Sequence, residues 1–203
     1  MDAHVAPARS SVVTSLPDCS ELPEWSFDSW RTWFVDAARR VIRWVPEDGV
    51  AIFYQSDIRH LGTWIDKGYL VMRAAEEESA RLVFHKIVCR KPPGTITHGR
   101  ASYSHMIGVT RAPASEGPKR PGPDVVPDAG FMPWSKAMGV LACRVACRFL
   151  VEEIQSRVVV DPFCGHGTVL AVANELGMDA VGVDASSKRC KAARRLVLPR
   201  DNP

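Results

Sequence analysis

The sequence predicts a doubly wound α/β fold with a mostly parallel sheet, on three observations. Short β-branched runs alternate with amphipathic helical stretches along most of the chain. Turns rich in Gly, Pro and Asp join them. One strand, glycine turn and helix unit, 158–185, leads to a second strand ending in an acid, the arrangement of a ligand-binding switch point.

Taken in order, Ser11–Ser15 (SVVTS) reads as a buried strand stopped by the turn Leu16-Pro17-Asp18. Residues 26–45 read as a helix with Ser26 as N-cap and an apolar stripe at Phe27, Trp30, Phe34, Ala37, Val41 and Val45. Pro46-Glu47-Asp48-Gly49 ends it, and Val50–Tyr54 is the next strand. Tyr69–Ala80 is a helix whose acidic run, Glu76-Glu77-Glu78, belongs on its solvated side. Arg81–Cys89 and Tyr103–Thr110 are strands flanking a Pro/Gly/Arg-rich loop. In the linker 112–133, six prolines exclude helix and strand interior. Beyond it come a helix over Ser135–Ile154, a strand over Arg157–Asp161, a helix over about 168–176, a strand over Ala180–Asp184 and a basic helix over about 186–197. There is no internal repeat. The expected organisation is one domain over 1–203, with a catalytic half at 11–111, the linker at 112–133 and a cofactor half at 134–203.

Composition sets outer limits. With 203 residues, 46% hydrophobic and 24% charged, the chain can bury one core, and it is not a disordered polymer. A net charge of +3 neither demands nor opposes a nucleic-acid partner. No apolar run reaches the roughly 18 residues of a membrane span, and the N-terminus lacks a secretory h-region. The six cysteines form no Cys-x-x-Cys pair, and Cys143 and Cys147 fall among the apolar positions of a helix, so core packing and a reducing cytoplasm are expected. No His/Cys/Asp spacing suggests a metal site.

The glycine turn carries the chemistry. A buried strand brings Asp161 to its carboxyl end, and Pro162, Phe163, Cys164, Gly165, His166 and Gly167 turn the chain into a helix beginning at Thr168. Gly165 and Gly167 let the backbone approach a ligand. Asp184 ends the next strand about 20 residues beyond the turn, the offset of an acid that accepts from ribose hydroxyls. A dinucleotide fingerprint would need glycine where Leu170 stands, and a phosphate loop would need a lysine before Thr168. A ligand with a ribose and no phosphates fits better, and S-adenosylmethionine is one, with its ammonium beside Asp161. A plain turn with two surface acids would explain either feature alone, but not both together.

At these residues the chain resembles the class I S-adenosylmethionine-dependent methyltransferases, and specifically the N4-cytosine/N6-adenine amino-methyltransferases (DPPY-type), whose first motif reads D-P-F-x-G-x-G-T. Here that motif lies near the C-terminus, so the resemblance is to circularly permuted members with a Rossmann-like sheet. It implies the strand order second, first, fourth, fifth, seventh, sixth, with the third edge strand missing or shrunk into residues 1–10. It implies a cofactor site of Asp161, Pro162, Phe163, Cys164, Gly165, Gly167, Thr168, Asp184 and Ala185, joined by Trp134 and Ser135 from the segment before the first-motif helix. Trp134 either packs on the cofactor or anchors the linker.

The family's catalytic motif, Asp/Asn/Ser-Pro-Pro-aromatic, is matched by Ser15-Leu16-Pro17-Asp18, with Glu21 close by. The resemblance implies that Ser15 Oγ and the Leu16 carbonyl accept the two N–H groups of an exocyclic amine. Asp18 departs from the pattern, because a carboxylate cannot stack on a base; it either touches substrate or caps a turn. Tyr54-Gln55-Ser56-Asp57 end the next strand on the same rim, where an aromatic could replace the missing stacker. Arg90, Arg100, Tyr103 and His105 mix basic and aromatic groups, which suits a nucleic-acid backbone with unstacked bases, although a solvated loop has the same composition. The basic helix face, including Lys188 and Arg189, reads as solvated.

The expected activity is therefore methyl transfer to a nucleic-acid base, RNA being favoured over DNA because there is no room for a separate recognition domain. Ribose-hydroxyl or DNA amino methylation and a non-catalytic RNA-binding subunit are the alternatives. No metal or membrane partner is expected, and monomer and homodimer both remain open.

Overall fold

The computed structural model of the chain describes residues 6–113 and 122–198. In chain order the elements are β1 (Ser10–Thr14), α1 (Phe27–Trp44), β2 (Ala51–Gln55), β3 (Ile58–His60), β4 (Thr63–Ile65), α2 (Lys67–Glu77), β5 (Arg81–Cys89) and β6 (Tyr103–Thr110). Then follow β7 (Val125–Val126), α3 (Val140–Glu152), β8 (Val158–Asp161), α4 (Thr168–Glu175), β9 (Asp179–Gly182) and α5 (Ser187–Ala193). Among the described residues seven strands form one sheet in the order β7-β5-β6-β2-β1-β8-β9, and β3 pairs only with β4. Strands β2, β1, β8 and β9 run parallel, and β6 is antiparallel to both β2 and β5. From β9 inward this is the order expected of a permuted sheet, and no described strand pairs outside β9.

Strand alternation builds the two layers. Val12, Ala51, Phe53 and Ile107 face α1 and α2, against Trp30, Phe34, Ile42, Leu70 and Val71. Their neighbours Val13, Ile52, Met106 and Val159 face α3 and α4, against Ala142, Cys143, Ala146, Cys147 and Val172. Cys143 and Cys147 are wholly buried, and burial pushes the Cys147 thiol up to about 12, so both act as small core residues. The Ser26 hydroxyl accepts from the Ser29 N–H at 3.1 Å and starts α1 as expected.

Several expectations need correction. The linker holds a strand after all. Val125 and Val126 pair with Ile87 and Val88 of β5, and the flanking Pro123 and Pro127 confine the strand to two residues at an edge, where their missing donors do no harm. Helix α3 begins at Val140, five residues late, because Ser135 to Met138 form a turn in which the Ala137 N–H donates to the Trp134 carbonyl at 2.9 Å. The acidic run is not all solvated. Glu78 accepts from Arg39 Nε at 2.7 Å and from Arg43 Nε at 2.8 Å, which ties α2 to α1. Burial works to raise its carboxyl, but the two arginines overrule it and hold it below its ordinary value. The β3–β4 hairpin has no counterpart in the sequence reading, since its strands are only three residues long.

Phe34, fully buried between α1 and the sheet, tests the layer on that face. Phe34→Ala is expected to cost about 3–5 kcal/mol, read as a lowered midpoint in urea denaturation with little change in slope.

Candidate active site at the strand tips

Strands β1 and β8 are adjacent at the place where strand order reverses, so their carboxyl ends open one crevice. The register pairs Val12 with Val160, which brings Thr14 beside Asp161. Thr14 Oγ1 donates to Asp161 Oδ1 at 2.7 Å, and the Phe163 N–H donates to the same oxygen at 3.1 Å. Asp161 Oδ2 takes no hydrogen bond among the described residues, and the residue lines a cavity. Burial pushes the Asp161 carboxyl up to about 7; the Thr14 and Phe163 bonds oppose the rise and the charge of Asp184 adds to it.

The second acid ties down the turn. Asp184 Oδ2 accepts from the Gly165 N–H at 3.1 Å, and Oδ1 accepts from the Ser186 N–H at 2.8 Å. The two glycines do different work. Gly165, at φ +53°, lines the cavity opposite the Trp134 ring, 3.6 Å from where a Cβ would stand. Gly167, at φ +81°, does not line it; a Cβ there would meet Ala193 Cβ at 2.7 Å, so its smallness serves the packing of α5.

Two cavities meet over these tips. The first, about 300 Å³, is lined by Trp134, Asp161, Phe163, Cys164, Gly165, Thr168, Asp184 and Ala185, among others. The second, about 230 Å³, is lined by Asp18, Asp57, Arg59, Lys67, Arg90, Arg100 and Ser135, among others. Ser15, Leu16, Glu21, Lys136 and Ala137 line both, so the tip of β1 is the partition. The turn after it is held from several sides. Trp30 Nε1 donates to the Pro17 carbonyl at 3.0 Å, and the Asp18 N–H donates to Glu21 Oε1 at 3.2 Å. Glu21 also pairs with Lys136 at 3.5 Å and Arg189 at 3.9 Å.

Asp18 pairs with the ammonium of Lys67, whose side chain is 3% exposed. Sequence reasoning misses Lys67, which stands two residues before the helix expected at Tyr69; the signal it could have used is Asp18, a carboxylate where the pattern has an aromatic. Behind the pair, Asp57 accepts from the Lys67 N–H at 3.0 Å and from the Tyr103 hydroxyl at 3.1 Å, and it faces His105 Nε2 at 3.1 Å. Burial works to raise the Asp57 carboxyl, and these partners bring it below its ordinary value. His85 Nε2 meets His105 Nδ1 at 2.9 Å, and burial with the neighbouring imidazole lowers the His85 pKa. Asp57, Asp66 and His105 thus come within metal-ligand reach of one another, which their spacing had hidden; with Asp57 engaged by three hydrogen-bond partners, the group reads as a polar hub.

Other expected residues lie elsewhere. Tyr54 packs in the core on the α3 side and Gln55 is fully buried, so neither reaches the rim; strand alternation puts them on opposite faces of a sheet that is covered on both. Neither Tyr103 nor His105 lines the second cavity; both support Asp57 from behind. Ser135 lines the second cavity rather than the first. Pro162 faces an apolar groove with Trp33, Val160, Val181 and Val183 on the α1 side of the sheet. Trp134 is both wall and anchor, since it stacks on His166 at 4.9 Å and carries the Arg189 guanidinium at 5.4 Å while lining the first cavity. Arg189 therefore belongs to the site rather than to a solvated helix face. Among the described residues no helix is long and apolar enough to cross a membrane.

The first cavity fits S-adenosylmethionine on its own chemistry: a buried carboxyl with a free oxygen, a second acid one strand over, an aromatic wall, and a glycine where a side chain would intrude. A doubly wound sheet with its crevice at this switch point has the α/β methyltransferase fold. Residues 152–195 match the N6/N4 methyltransferase family model, described as DNA methylase. Among solved structures, a protein from Thermus thermophilus described as a DNA modification methylase, complexed with S-adenosyl-L-methionine, is 19% identical with a TM-score of 0.67, covering 92% of this chain and 84% of that one. The PvuII DNA methyltransferase, cytosine-N4-specific, is 15% identical with a TM-score of 0.67, covering 96% of this chain and 81% of that one. The complex of M1.HpyAVI with SAM is 11% identical with a TM-score of 0.62, covering 92% and 87%. No curated protein matches the sequence.

Two outcomes follow from the paired acids. In the unfolded chain Asp161 ionises near pH 4, whereas in the fold it keeps its proton up to about 7. Its contribution to stability is therefore full below about pH 4 and is lost as pH rises through about 7. A cationic ligand group beside it selects the ionised form, so S-adenosylmethionine should bind more tightly as pH rises to about 7 and release protons below it. Calorimetry in buffers of different ionisation enthalpy reads both effects, and Asp161→Asn should abolish them. Asp184→Ala should weaken cofactor binding by about 1–3 kcal/mol, and an unchanged calorimetric affinity would remove Asp184 from the cofactor site.

Proposed function

We propose that this protein transfers the methyl group of S-adenosylmethionine to an exocyclic amine of a base in DNA. The observation that carries the reading is the pair of cavities divided by Ser15 and Leu16, one with two strand-tip acids and the other with a cationic lining. S-adenosylmethionine supplies an electrophilic methyl group. Asp161 holds the ammonium, Asp184 the ribose hydroxyls, and Trp134 and Phe163 cover the apolar surface. Leu16 and Pro17 keep the partition stiff, with Leu16 buried and the Pro17 carbonyl fixed by Trp30.

On the acceptor side, Ser15 Oγ and the Leu16 carbonyl receive the two N–H groups of the amine and turn its lone pair toward the first cavity. The contribution is mostly one of position. Asp18, paired with Lys67, offers an acceptor beside a donor. With both amine N–H groups taken by Ser15 and Leu16, Lys67, held in place by Asp18, is the donor for the ring nitrogen beside the amine of cytosine or adenine, so this pair stands in for the absent stacking aromatic. Arg59, Arg90, Arg100 and Lys136 face the same cavity and suit the phosphates on either side of the base. Since Asp18 and Glu21 are both tied to cations, neither is free to act as the base that a ribose hydroxyl would need.

DNA replaces RNA as the preferred acceptor. The matching family model is described as DNA methylase. The PvuII enzyme, named as a DNA methyltransferase, is matched over 81% of its own length, so a chain of this size is no argument against DNA. We place the protein in a reducing cytoplasm on the strength of six unpaired cysteines.

The test is nucleoside mass spectrometry after incubating the purified protein and cofactor with DNA and, separately, RNA. A methylated cytosine or adenine amine in DNA is expected; methyl groups confined to ribose, or to RNA, overturn the reading. Asp18→Asn, which spares the fold better than alanine beside a buried ammonium, should keep cofactor affinity and lower turnover by about 10²-fold. An Asn variant with full activity would return Asp18 to a structural role.

A further inference from the structure

The β3–β4 hairpin carries a feature that folding does not require. Its two-residue turn places both Leu61 (φ +47°) and Gly62 (φ +84°) in the left-handed region. Such turns favour Asn-Gly, and a leucine there is strained. That leucine is also 92% exposed, so neither backbone comfort nor burial accounts for it.

The rest of the hairpin, in contrast, is firmly held. Ile58 and Ile65 pack against the α1–α2 core, and the His60 ring stacks on Phe27 at 4.1 Å. Arg59 donates to the Gly62 carbonyl at 3.0 Å, bracing the turn from within, and its guanidinium lies 5.6 Å from the centre of the half-exposed Trp64 ring. A rigid arm thus presents one apolar side chain at its tip. Its foot is part of the acceptor cavity, since Ile58 and Arg59 line it. The opposite wall comes from the loop between β5 and β6, through Arg90, Gly99 and Arg100. That loop contains no acidic residue and carries exposed Lys91 and Ile96.

We propose that this hairpin is a wedge for duplex nucleic acid, with Leu61 entering the base stack beside the target and filling the space the base leaves as it turns into the acceptor cavity. The proposal rests on the reading of a base as methyl acceptor. An amine inside a stacked duplex cannot reach Ser15 between these two projections, so the base must leave the stack. Apolar side chains inserted between base steps offset that cost. The flanking cations, Arg59, Arg90, Lys91 and Arg100, match the phosphates of a duplex rather than an apolar protein partner.

The test uses fluorescence anisotropy of the whole protein on two labelled duplexes of one sequence, one fully paired and one with a single mismatch, in the presence of S-adenosylhomocysteine. Unpairing is cheapest at a mismatch, so the wild type should bind that duplex roughly tenfold more tightly, and Leu61→Asn should remove the preference. Asn suits a left-handed turn, so this variant should fold at least as well, as a thermal melt would show. A wild type without preference, or a variant that keeps it, overturns the wedge. Leu61-dependent binding to phosphatidylserine vesicles in place of duplex would assign the tip to a membrane surface and overturn it too. A mismatch preference that depends on Leu61, with no base methyl formed in the nucleoside assay, would sink the acceptor reading and leave the wedge standing. Base methylation with a preference indifferent to Leu61 would sink the wedge alone.

Discussion

A hydrogen bond between two strand tips, Thr14 Oγ1 to Asp161 Oδ1, holds the rest of the site in place. The bond spans 147 positions of sequence and is buried. It orients a buried carboxyl whose other oxygen is open to the crevice, and it opposes the rise in pKa that burial imposes. Around it the ladder continues to the very ends of the strands, where the Val183 N–H donates to the Asp161 carbonyl at 2.9 Å and the Cys164 N–H donates to the Val183 carbonyl at 2.9 Å. The glycine turn therefore has its backbone bonded on the β9 side while its other side stays free for a ligand. A loop with its polar groups so disposed needs little rearrangement on binding, which is the cheapest form of preorganisation.

The acceptor side obeys a different constraint. Lys67 is almost fully buried and its ammonium relies on Asp18. Removing one partner of a buried pair leaves an uncompensated charge and is strongly destabilising, while replacing both with apolar groups can be nearly neutral. Asp18 is about a third exposed, so solvent softens this penalty without abolishing it. The departure from a Pro-Pro-aromatic turn is then one change in two places. An aromatic at position 18 is compatible with this fold only if position 67 gives up its charge. What reads in the sequence as a damaged motif is in the structure a self-consistent pair.

Much of this was legible, for identifiable reasons. The runs Arg81–Cys89 and Tyr103–Thr110 flank a loop rich in Gly, Pro and Arg that separates them, and both strands lie as expected. The strand-tip acids were legible because a glycine turn has few other uses at that spacing. Tyr54 and Gln55 misled, because a position at the end of a strand says nothing about face. Tyr54 shares the face of Ile52, two residues earlier and buried in the α3-side core. Lys67 and the β3–β4 hairpin were invisible for another reason. Each acquires its meaning from a contact distant in sequence, with Asp18 and Phe27 respectively.

The permuted order of the chain adds a last constraint. Strand β1 comes from the half before the linker and β8 from the half after it, and they are central neighbours in the sheet. Ser11 Oγ meets Ser156 Oγ at 2.8 Å, and the Arg157 N–H donates to the Arg9 carbonyl at 2.9 Å, so the seam is bonded along its length. Neither half owns a complete site: Ser15 and Leu16 need the Asp161 turn to form a partition, and Asp161 needs Thr14 to orient its carboxyl. Closing so long a loop costs only logarithmically more than closing a short one. The sheet can therefore be cut and rejoined elsewhere at small cost, provided these two strands still meet. The seam between β1 and β8, rather than the order of motifs along the chain, is what a sheet of this architecture has to preserve.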